Sequence, residues 1–183
     1  MRIISGKYKG KKILLPKDKF TRPLRDLVKE SIFNILKHSN LFTCKIENGY
    51  ILDLFSGSGS FGLECISRGA SQVTFFENYK PTINILMKNI SILNCHSSTT
   101  IVNKDISNDE LKKLKKFDLV FLDPPFKYKN IEKLITNIKN LGILKKNGLI
   151  ILHRHKNDKS FLIQKFKIIK QKKYGISKIF FGN

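Results

Sequence analysis

The chain has 183 residues and a formal net charge of +21, from 35 Lys and Arg residues against 14 Asp and Glu residues. Its length and its 41% of hydrophobic residues fit one globular domain with its own core, and they exclude general disorder. The apolar runs are too short to cross a bilayer, no signal peptide is evident, and the three cysteines match neither a disulfide framework nor a zinc site. We therefore expect a cytoplasmic protein that holds no metal and does not associate with membranes.

The positive charge is concentrated at the two ends of the chain. Residues 1–20 hold seven Lys or Arg residues against one acid, and residues 153–183 hold nine against one. Most of the basic residues are Lys, an excess to which A/T-rich codon usage can contribute, but codon usage does not explain their placement. Basic surfaces attract polyanions because counterions are released on binding. We therefore predict that the two ends contact a polyanion such as a nucleic acid.

Residues 1–48 are predicted to form a basic N-terminal extension. Two apolar segments, Ile3-Ile4 and Ile13–Leu15, flank the basic segment Lys7–Lys11 in the pattern of a β-hairpin. A helix is expected to begin at Thr21-Arg22-Pro23, because Pro is favoured in the first turn of a helix. The apolar face of that helix would carry Val28, Ile32, Ile35 and Leu36.

Residues 49–183 are predicted to form one α/β domain. Short apolar runs alternate with helical patterns, which indicates a seven-stranded, mostly parallel sheet with helices on both faces. The last two strands leave no room for a helix between them, so we expect an antiparallel hairpin at Tyr174-Gly175. The predicted strands are Tyr50–Leu54, Ser71–Phe76, Thr99–Val102, Phe117–Leu122, Leu149–His153, Phe166–Gln171 and Ile176–Phe181.

A glycine-rich loop follows the first of these strands. Gly57, Gly59 and Gly62 have the spacing G-x-G-x-x-G, and Glu77 ends the next strand, twenty residues after Gly57. Such glycines let the backbone approach a ligand, and an acid at the next strand end can bind ribose hydroxyls. The pattern fits NAD and S-adenosylmethionine (SAM) equally. Asp53 favours SAM, because a carboxylate suits a cationic amine and would repel a pyrophosphate.

A second motif, Asp123-Pro124-Pro125-Phe126, directly follows the fourth strand. Two prolines stiffen the backbone and donate no hydrogen bonds, so the carbonyl groups before them are held in place. A carboxylate and a fixed carbonyl are two acceptors suited to an exocyclic amino group. Phe126 offers a flat face on which an extruded base can stack. The motif therefore predicts transfer of a group to the amino nitrogen of a base.

These residues resemble the class I SAM-dependent methyltransferases, which have a Rossmann-like fold, and among them the RsmD family. That family methylates the exocyclic N2 of a guanine in bacterial small-subunit (16S) ribosomal RNA. The resemblance extends over nearly the whole chain, and its N-terminal part is the most specific to the family. It is carried by Arg2–Gly6 with Gly10 and Pro16, Arg22-Pro23, Asp26, Glu30, Phe33-Asn34, Asp53–Gly59, Gly62, Glu64, Ser67–Ala70, Glu77, Asp123–Phe126 and Tyr174-Gly175.

The resemblance implies three groups of site residues and a partner, which is ribosomal RNA or the assembling small subunit. It implies SAM contacts at Asp53, Phe55, Ser56, Gly57, Gly59, Glu77, Asp105 and Ile106. It implies catalytic contacts to the target base at Asp123, Pro124, Pro125 and Phe126. It implies RNA contacts at Lys7, Lys9, Lys11 and Arg22, and nothing in the sequence demands more than a monomer.

Two segments depart from the family pattern. Leu24-Arg25 stands where family members often have small polar residues, and His153-Arg154-His155 ends a strand without the acid expected nearby. We expect the two histidines at the edge of the core or in solvent, and Tyr174 packed in the C-terminal hairpin.

Three alternative functions remain open from the residues alone. The chain could methylate adenine N6 or cytosine N4 in DNA or another RNA, because the Asp-Pro-Pro-Phe motif suits those amino groups too. It could be an NAD-dependent oxidoreductase, or a non-catalytic ribosome-binding protein on the same fold.

Overall fold

The structure is a computed structural model that describes residues 1–17, 24–158 and 166–183. Seven strands alternate with helices along the chain, as the sequence predicts. The strands are β1 (Tyr50–Leu54), β2 (Gln72–Phe76), β3 (Thr99–Val102), β4 (Phe117–Leu122), β5 (Leu144–His155), β6 (Ile168–Tyr174) and β7 (Ser177–Gly182). The helices are α1 (Asp26–His38), α2 (Ser60–Ser67), α3 (Lys80–Leu93), α4 (Asn108–Lys112) and α5 (Ile131–Asn140). None of the described helices is long and apolar enough to cross a membrane.

The seven strands form one mixed sheet in the order β3-β2-β1-β4-β5-β7-β6. The first five strands are parallel, and β7 runs antiparallel to both β5 and β6. The predicted α/β architecture and the C-terminal antiparallel hairpin are thereby confirmed. Tyr174 pairs with Ser177 across the turn, as expected.

The central strands are buried on both faces, which explains why their sequences are continuously apolar. Successive residues of β4 face opposite cores. Leu119 and Phe121 pack with α1, α2 and α3, whereas Val120 and Leu122 pack with α4 and α5. The sheet is therefore the middle layer of three.

The N-terminal segment reverses direction as the predicted hairpin does, although none of its described residues forms a strand. An isolated antiparallel bridge between Arg2 and Lys12 and backbone hydrogen bonds such as that from the Ile3 N–H to the Lys11 carbonyl join its two arms. Other N–H groups bond outside the segment: those of Ile4 and Ser5 donate to the Glu64 carboxylate of α2, and that of Lys7 donates to the Ser67 carbonyl. This segment is therefore attached to α2, and Ile3 and Ile13 are buried in the same core as α2.

Some element boundaries also differ from the prediction. Strand β5 begins at Leu144, five residues early, because Phe117 pairs with Leu144 ahead of a register shift. Helix α4 was not expected from the sequence. Helix α1 begins at Asp26, and its expected start at Thr21-Arg22-Pro23 lies outside the described residues.

Candidate active site

The carboxyl ends of the five parallel strands lie side by side at one edge of the sheet. The register pairs Leu54 with Phe76 and with Leu122, and it pairs Leu122 with Leu152. Strand order reverses between β1 and β4, and ligands of open α/β sheets bind at such a point. The residues that follow each strand are therefore brought together there, although they are far apart in sequence.

Two adjoining cavities open at this edge, with volumes of about 240 Å³ and 370 Å³. Phe55, Glu77, Asn78 and Pro125 line both cavities. The first cavity lies between the glycine loop and the Asp-Pro-Pro loop, and the second lies between the ends of β2 and β3. The first is also lined by Leu24, Asp53, Ser56, Gly57, Ser58, Ser60, Phe61, Tyr79, Thr82, Phe121, Asp123 and Pro124.

Asp53, near the end of β1, is the buried acid of the first cavity, with an exposed fraction of 1%. Its Oδ2 accepts a hydrogen bond from the Gly62 N–H at 2.9 Å, which ties the carboxylate to the first turn of α2. Burial raises the pKa of Asp53 well above its usual range; the Gly62 bond lowers it, and Asp123 and Glu77 raise it further. A cation brought into this cavity would offset the cost of ionising the buried carboxyl.

The glycines of the loop have different roles in the structure. Gly57 lines the first cavity and has a φ of +56°. Gly59 precedes α2 with a φ of +82°, and a Cβ there would lie 2.4 Å from Leu86 Cδ1 of α3. Gly59 is therefore demanded by the turn and by helix packing, and it lines neither cavity.

Glu77, at the end of β2, connects the two cavities. Its Oε2 accepts a hydrogen bond from the Gly57 N–H at 2.8 Å, and its Oε1 accepts from the N–H groups of Asn78 and Tyr79 at 3.0 Å each. These bonds hold the carboxylate between the glycine loop and the start of α3. Oε2 retains one acceptor position for a ligand hydroxyl, since each carboxylate oxygen offers about two lone-pair positions and those of Oε1 are occupied.

The second cavity contains both residues predicted after β3, Asp105 and Ile106. Asp105 accepts a hydrogen bond from the Asn78 side-chain amide. Phe55 packs edge-to-face on Tyr128, with ring centroids 5.0 Å apart, so that these two rings form one wall. Phe55 has a φ of +60°, a strained conformation for an aromatic residue and one that concentrates at functional sites.

Asp123, Pro124 and Pro125 all line the first cavity, opposite the glycine loop. Asp123 is held from behind: its Oδ1 lies 2.8 Å from His153 Nδ1 at the end of β5. Phe126 lines neither cavity but lies beside them, packed edge-to-face on His155 with ring centroids 4.9 Å apart. The structure thus brings the predicted catalytic carboxylate and the predicted cofactor acid, Asp53, into one cavity.

Arg154 holds the Asp-Pro-Pro-Phe loop through its backbone and is almost fully buried. Its guanidinium donates hydrogen bonds to the carbonyl groups of Pro125, Phe126 and Tyr128 at 3.1–3.2 Å, and it forms an ion pair with Asp158. The expectation that this strand end lacks a nearby acid is wrong, because Asp158 and Asp123 reach it from the following turn and from β4. Sequence reasoning also missed that His153 and Arg154 belong to the site.

Other lining residues were missed as well. Leu24, Ser60, Thr82, Tyr79 and Asn78 carry no motif, although Asn78 and Tyr79 follow Glu77 directly and could have been found by that position. Ser56 was predicted, and its Oγ is buried without a hydrogen-bond partner among the described residues. A hydroxyl of this kind in a cavity wall is available to a ligand.

The predicted RNA-binding lysines line neither cavity. Lys7, Lys9 and Lys11 are exposed on the N-terminal segment, and Arg22 lies outside the described residues. Their role stays a prediction. Within the described ranges, no cluster of three or more His, Cys, Asp or Glu side chains could hold a metal ion.

Buried polar side chains connect the N-terminal segment to the cavity wall. The Lys29 ammonium donates to the Arg2 carbonyl at 2.9 Å and to Ser60 Oγ at 3.3 Å, and it lies 3.8 Å from Glu64. Burial lowers the pKa of Lys29, although Glu64 and Asp26 raise it. On α3, the Asn89 amide bonds to both backbone groups of Leu14 and to the Ser58 carbonyl of the glycine loop.

Comparison with known proteins gives consistent results over the full chain. The family model described as "Conserved hypothetical protein 95" matches residues 1–183. Ribosomal RNA small subunit methyltransferase D of Haemophilus influenzae is 37% identical over 179 residues, covering 96% of this chain and 90% of that protein. The solved structure of yhhF from Escherichia coli has a TM-score of 0.84 and 28% identity, and the match covers 100% of this chain and 96% of that one.

A more distant solved structure, SMU.776, is described as complexed with SAH. It has a TM-score of 0.64 and 19% identity, covers 84% of this chain and 48% of that one, and so shares the fold. The model match and the Haemophilus relative settle the family. The chain belongs to the "Conserved hypothetical protein 95" family, the family of the ribosomal RNA small subunit methyltransferase D proteins.

Proposed function

We propose that this protein is a SAM-dependent methyltransferase that methylates the exocyclic N2 of a guanine in small-subunit ribosomal RNA. The observation that supports this most is that Asp53 and Asp123 line the same cavity, the first beside the glycine loop and the second in the Asp-Pro-Pro-Phe loop. The amine of the cofactor would thus contact one carboxylate and the amino group of the target base the other, on opposite walls of the cavity. The names of the curated relatives support ribosomal RNA as the substrate.

The described residues fit SAM. Asp53 in its ionised form and the Ser56 hydroxyl, which has no partner among the described residues, suit the amino-acid end of the molecule. Glu77 suits the ribose hydroxyls between the two cavities. Asp105 and Ile106 in the second cavity suit the adenine, where a carboxylate can accept from an amino group. SAM, when bound, supplies an electrophilic methyl group on a cationic sulfur.

The Asp-Pro-Pro loop would orient the target nitrogen. Asp123 accepts a hydrogen bond from the amino group, and the carbonyl group held ahead of Pro125 provides a second acceptor. These bonds would aim the nitrogen lone pair at the methyl group. As the nitrogen–carbon bond formed, the methyl–sulfur bond would break and leave its electron pair on sulfur, and the nitrogen would release one proton to solvent. Positioning of this kind contributes more than a strong base, because bringing reacting atoms into contact geometry removes most of the entropic barrier.

The test is methyl transfer from SAM labelled in its methyl group to small ribosomal subunits from a strain in which the gene is deleted. Mass spectrometry of the digested RNA is expected to show N2-methylguanosine. The Asp123→Ala variant is expected to transfer at least about 100-fold more slowly, because an interaction specific to the reacting amino group is lost.

The alternatives predict other products. N6-methyladenosine or N4-methylcytidine would identify a different target base. Binding of RNA and SAM without transfer would indicate a non-catalytic protein, and binding of NADH without SAM would indicate an oxidoreductase. Each of these three results contradicts the proposal.

A further inference from the structure

A chain of three side chains leads from the core to the cavity. Ser177 Oγ on β7 lies 2.8 Å from His153 Nε2, and His153 Nδ1 lies 2.8 Å from Asp123 Oδ1. His153 and Ser177 are buried, with exposed fractions of 2% and 4%. Strands β4, β5 and β7 are neighbours in the sheet; His153 belongs to β5, Ser177 to β7, and Asp123 directly follows β4.

The hydrogen-bond roles follow from the chemistry of the groups. An ionised carboxylate only accepts, so Nδ1 carries the proton and donates it to Asp123. His153 is therefore held at both ring nitrogens, and it occupies one acceptor position of a carboxylate that has about four. A carboxylate fixed in this way keeps its orientation while it accepts from a further group in the cavity.

The same order of atoms, Ser Oγ to His Nε2 and His Nδ1 to Asp, occurs in the triads of serine hydrolases. Here the orientation relative to the cavity is reversed. Ser177 is buried and lines neither cavity, whereas Asp123 lines the first cavity. The carboxylate is therefore the end that meets a ligand, and the serine is the anchor.

We propose that His153 is a positioning residue for methyl transfer: its Nδ1–H holds Asp123 in the orientation that accepts the target amino group, and Ser177 holds the ring. This inference rests on the proposed function. Arg154, the next residue of β5, fixes the backbone of the same loop, so successive residues of one strand fix the carboxylate and the loop that carries it.

Replacing His153 by Asn or by Gln distinguishes the roles of its two ring nitrogens. The nitrogen of Asn stands the same number of bonds from Cβ as Nδ1, and the nitrogen of Gln the same number as Nε2. His153→Asn thus keeps a donor for Asp123, whereas His153→Gln keeps only the contact with Ser177. We expect kcat to fall about 10- to 100-fold in His153→Gln and to stay within about threefold of wild type in His153→Asn.

The matched measurements are KM for the RNA, Kd for SAM and the melting temperature, which should be similar in the two variants because each replaces the same buried ring. In the wild-type protein, 15N NMR of the imidazole should show a protonated Nδ1. Equal kcat in the two variants, whether lowered or unchanged, would overturn the proposal, as would a bare Nδ1.

The two proposals fail in different ways. Absence of transfer by the wild-type protein contradicts the proposed function, and the NMR signal then still reports whether Nδ1 donates to Asp123. Normal transfer by the wild-type protein together with normal kcat in His153→Gln contradicts the positioning role alone.

Discussion

Ionising the buried carboxyl of Asp53 costs free energy in the protein without ligand, but the ionised form would stabilise a bound cation. Its carboxyl is buried, and burial raises its pKa well above the usual range. The protonated carboxyl is the poorer partner for a cation, because only the ionised form attracts it. The free energy of unfolding and the affinity for SAM should therefore respond to pH in opposite directions.

We predict that the affinity for SAM decreases as the pH falls through the raised pKa of Asp53. Asp53→Asn should weaken SAM binding roughly 10- to 100-fold at neutral pH, the value of a hydrogen bond to a charged group, and remove this pH dependence. The amide oxygen can still accept from Gly62, so the glycine loop is retained. Isothermal titration calorimetry at a series of pH values measures both effects.

The stability of the protein without ligand should change with pH in the opposite direction. Because the folded-state pKa of Asp53 is raised, its contribution is fully present below the ordinary carboxyl pKa and is lost as the pH rises through the raised value. Asp53→Asn should therefore flatten the loss of melting temperature with rising pH. A variant with the pH dependence of wild type in both measurements would contradict the role given to this carboxyl.

At the scale of elements, the N-terminal segment is attached to α2 as well as paired with itself. Ile4, Ser5, Lys7 and Tyr8 all donate backbone hydrogen bonds to side chains or carbonyls of α2. The alternation of apolar and basic residues predicted a hairpin because it reports which residues are buried. It does not report which partner satisfies each backbone group, and here helix α2 supplies some of the partners while the opposite arm of the segment supplies others.

Two glycines of this segment provide a matched comparison. Gly6 and Gly10 have nearly the same φ, +83° and +84°, but a Cβ on Gly6 would lie 1.8 Å from the Ser67 carbonyl oxygen, whereas a Cβ on Gly10 would meet nothing within 4 Å. We predict that Gly10→Ala costs about 1–2 kcal/mol for the left-handed backbone. Gly6→Ala should cost a further 1–3 kcal/mol or so, as overpacking does.

Urea denaturation of both variants measures the difference in the free energy of unfolding. Equal losses would mean that the N-terminal segment separates from α2 at little cost. They would contradict the attachment that the structure describes.

For the whole molecule, the charge of +21 is unevenly distributed between the cavities and the ends. The first cavity presents the carboxylates of Asp53, Glu77 and Asp123, while Lys7, Lys9 and Lys11 are exposed on the N-terminal segment. The exposed lysines attract a polyanion, whereas the acidic cavity does not. Only a base that enters the cavity can make favourable contacts there. We therefore propose that affinity for RNA and selection of the base are carried by different parts of the molecule.

We predict that replacing Lys7, Lys9 and Lys11 together by Gln weakens RNA binding and lowers the slope of log K against log salt by about 2–3. Each phosphate contact contributes roughly 0.7–0.9 to that slope through counterion release. SAM affinity should stay unchanged, because these residues line neither cavity. Filter binding across a salt series provides the measurement.

The control removes the same charge from the opposite face of the sheet, from exposed lysines of α4 and α5. This control variant should change the slope of log K against log salt by less than the contribution of one phosphate contact, which is about 0.7–0.9. Equal effects from the two triple variants would mean that net charge alone governs binding, and would contradict an RNA-binding role for the N-terminal segment. The control positions are Lys112, Lys133 and Lys139.

The sequence by itself determined the alternation of strands and helices, the glycine loop, and the acids that end the strands. These features depend on short-range periodicity and on backbone chemistry, which neighbouring residues carry. It also determined that Asp53, Glu77, Asp105 and Asp123 would share one edge of the sheet, because parallel strands align their carboxyl ends. The elements and the candidate site were predictable to that extent.

Only the tertiary structure decided what holds these acids in place. His153 reaches Asp123 because β5 lies beside β4, and Ser177 reaches His153 because β7 pairs with β5. Asn89 bonds to Leu14, 75 residues earlier in the sequence, and to the Ser58 carbonyl of the glycine loop. Such contacts have no local signature, because a buried polar group takes whichever partner the packing brings within hydrogen-bonding distance.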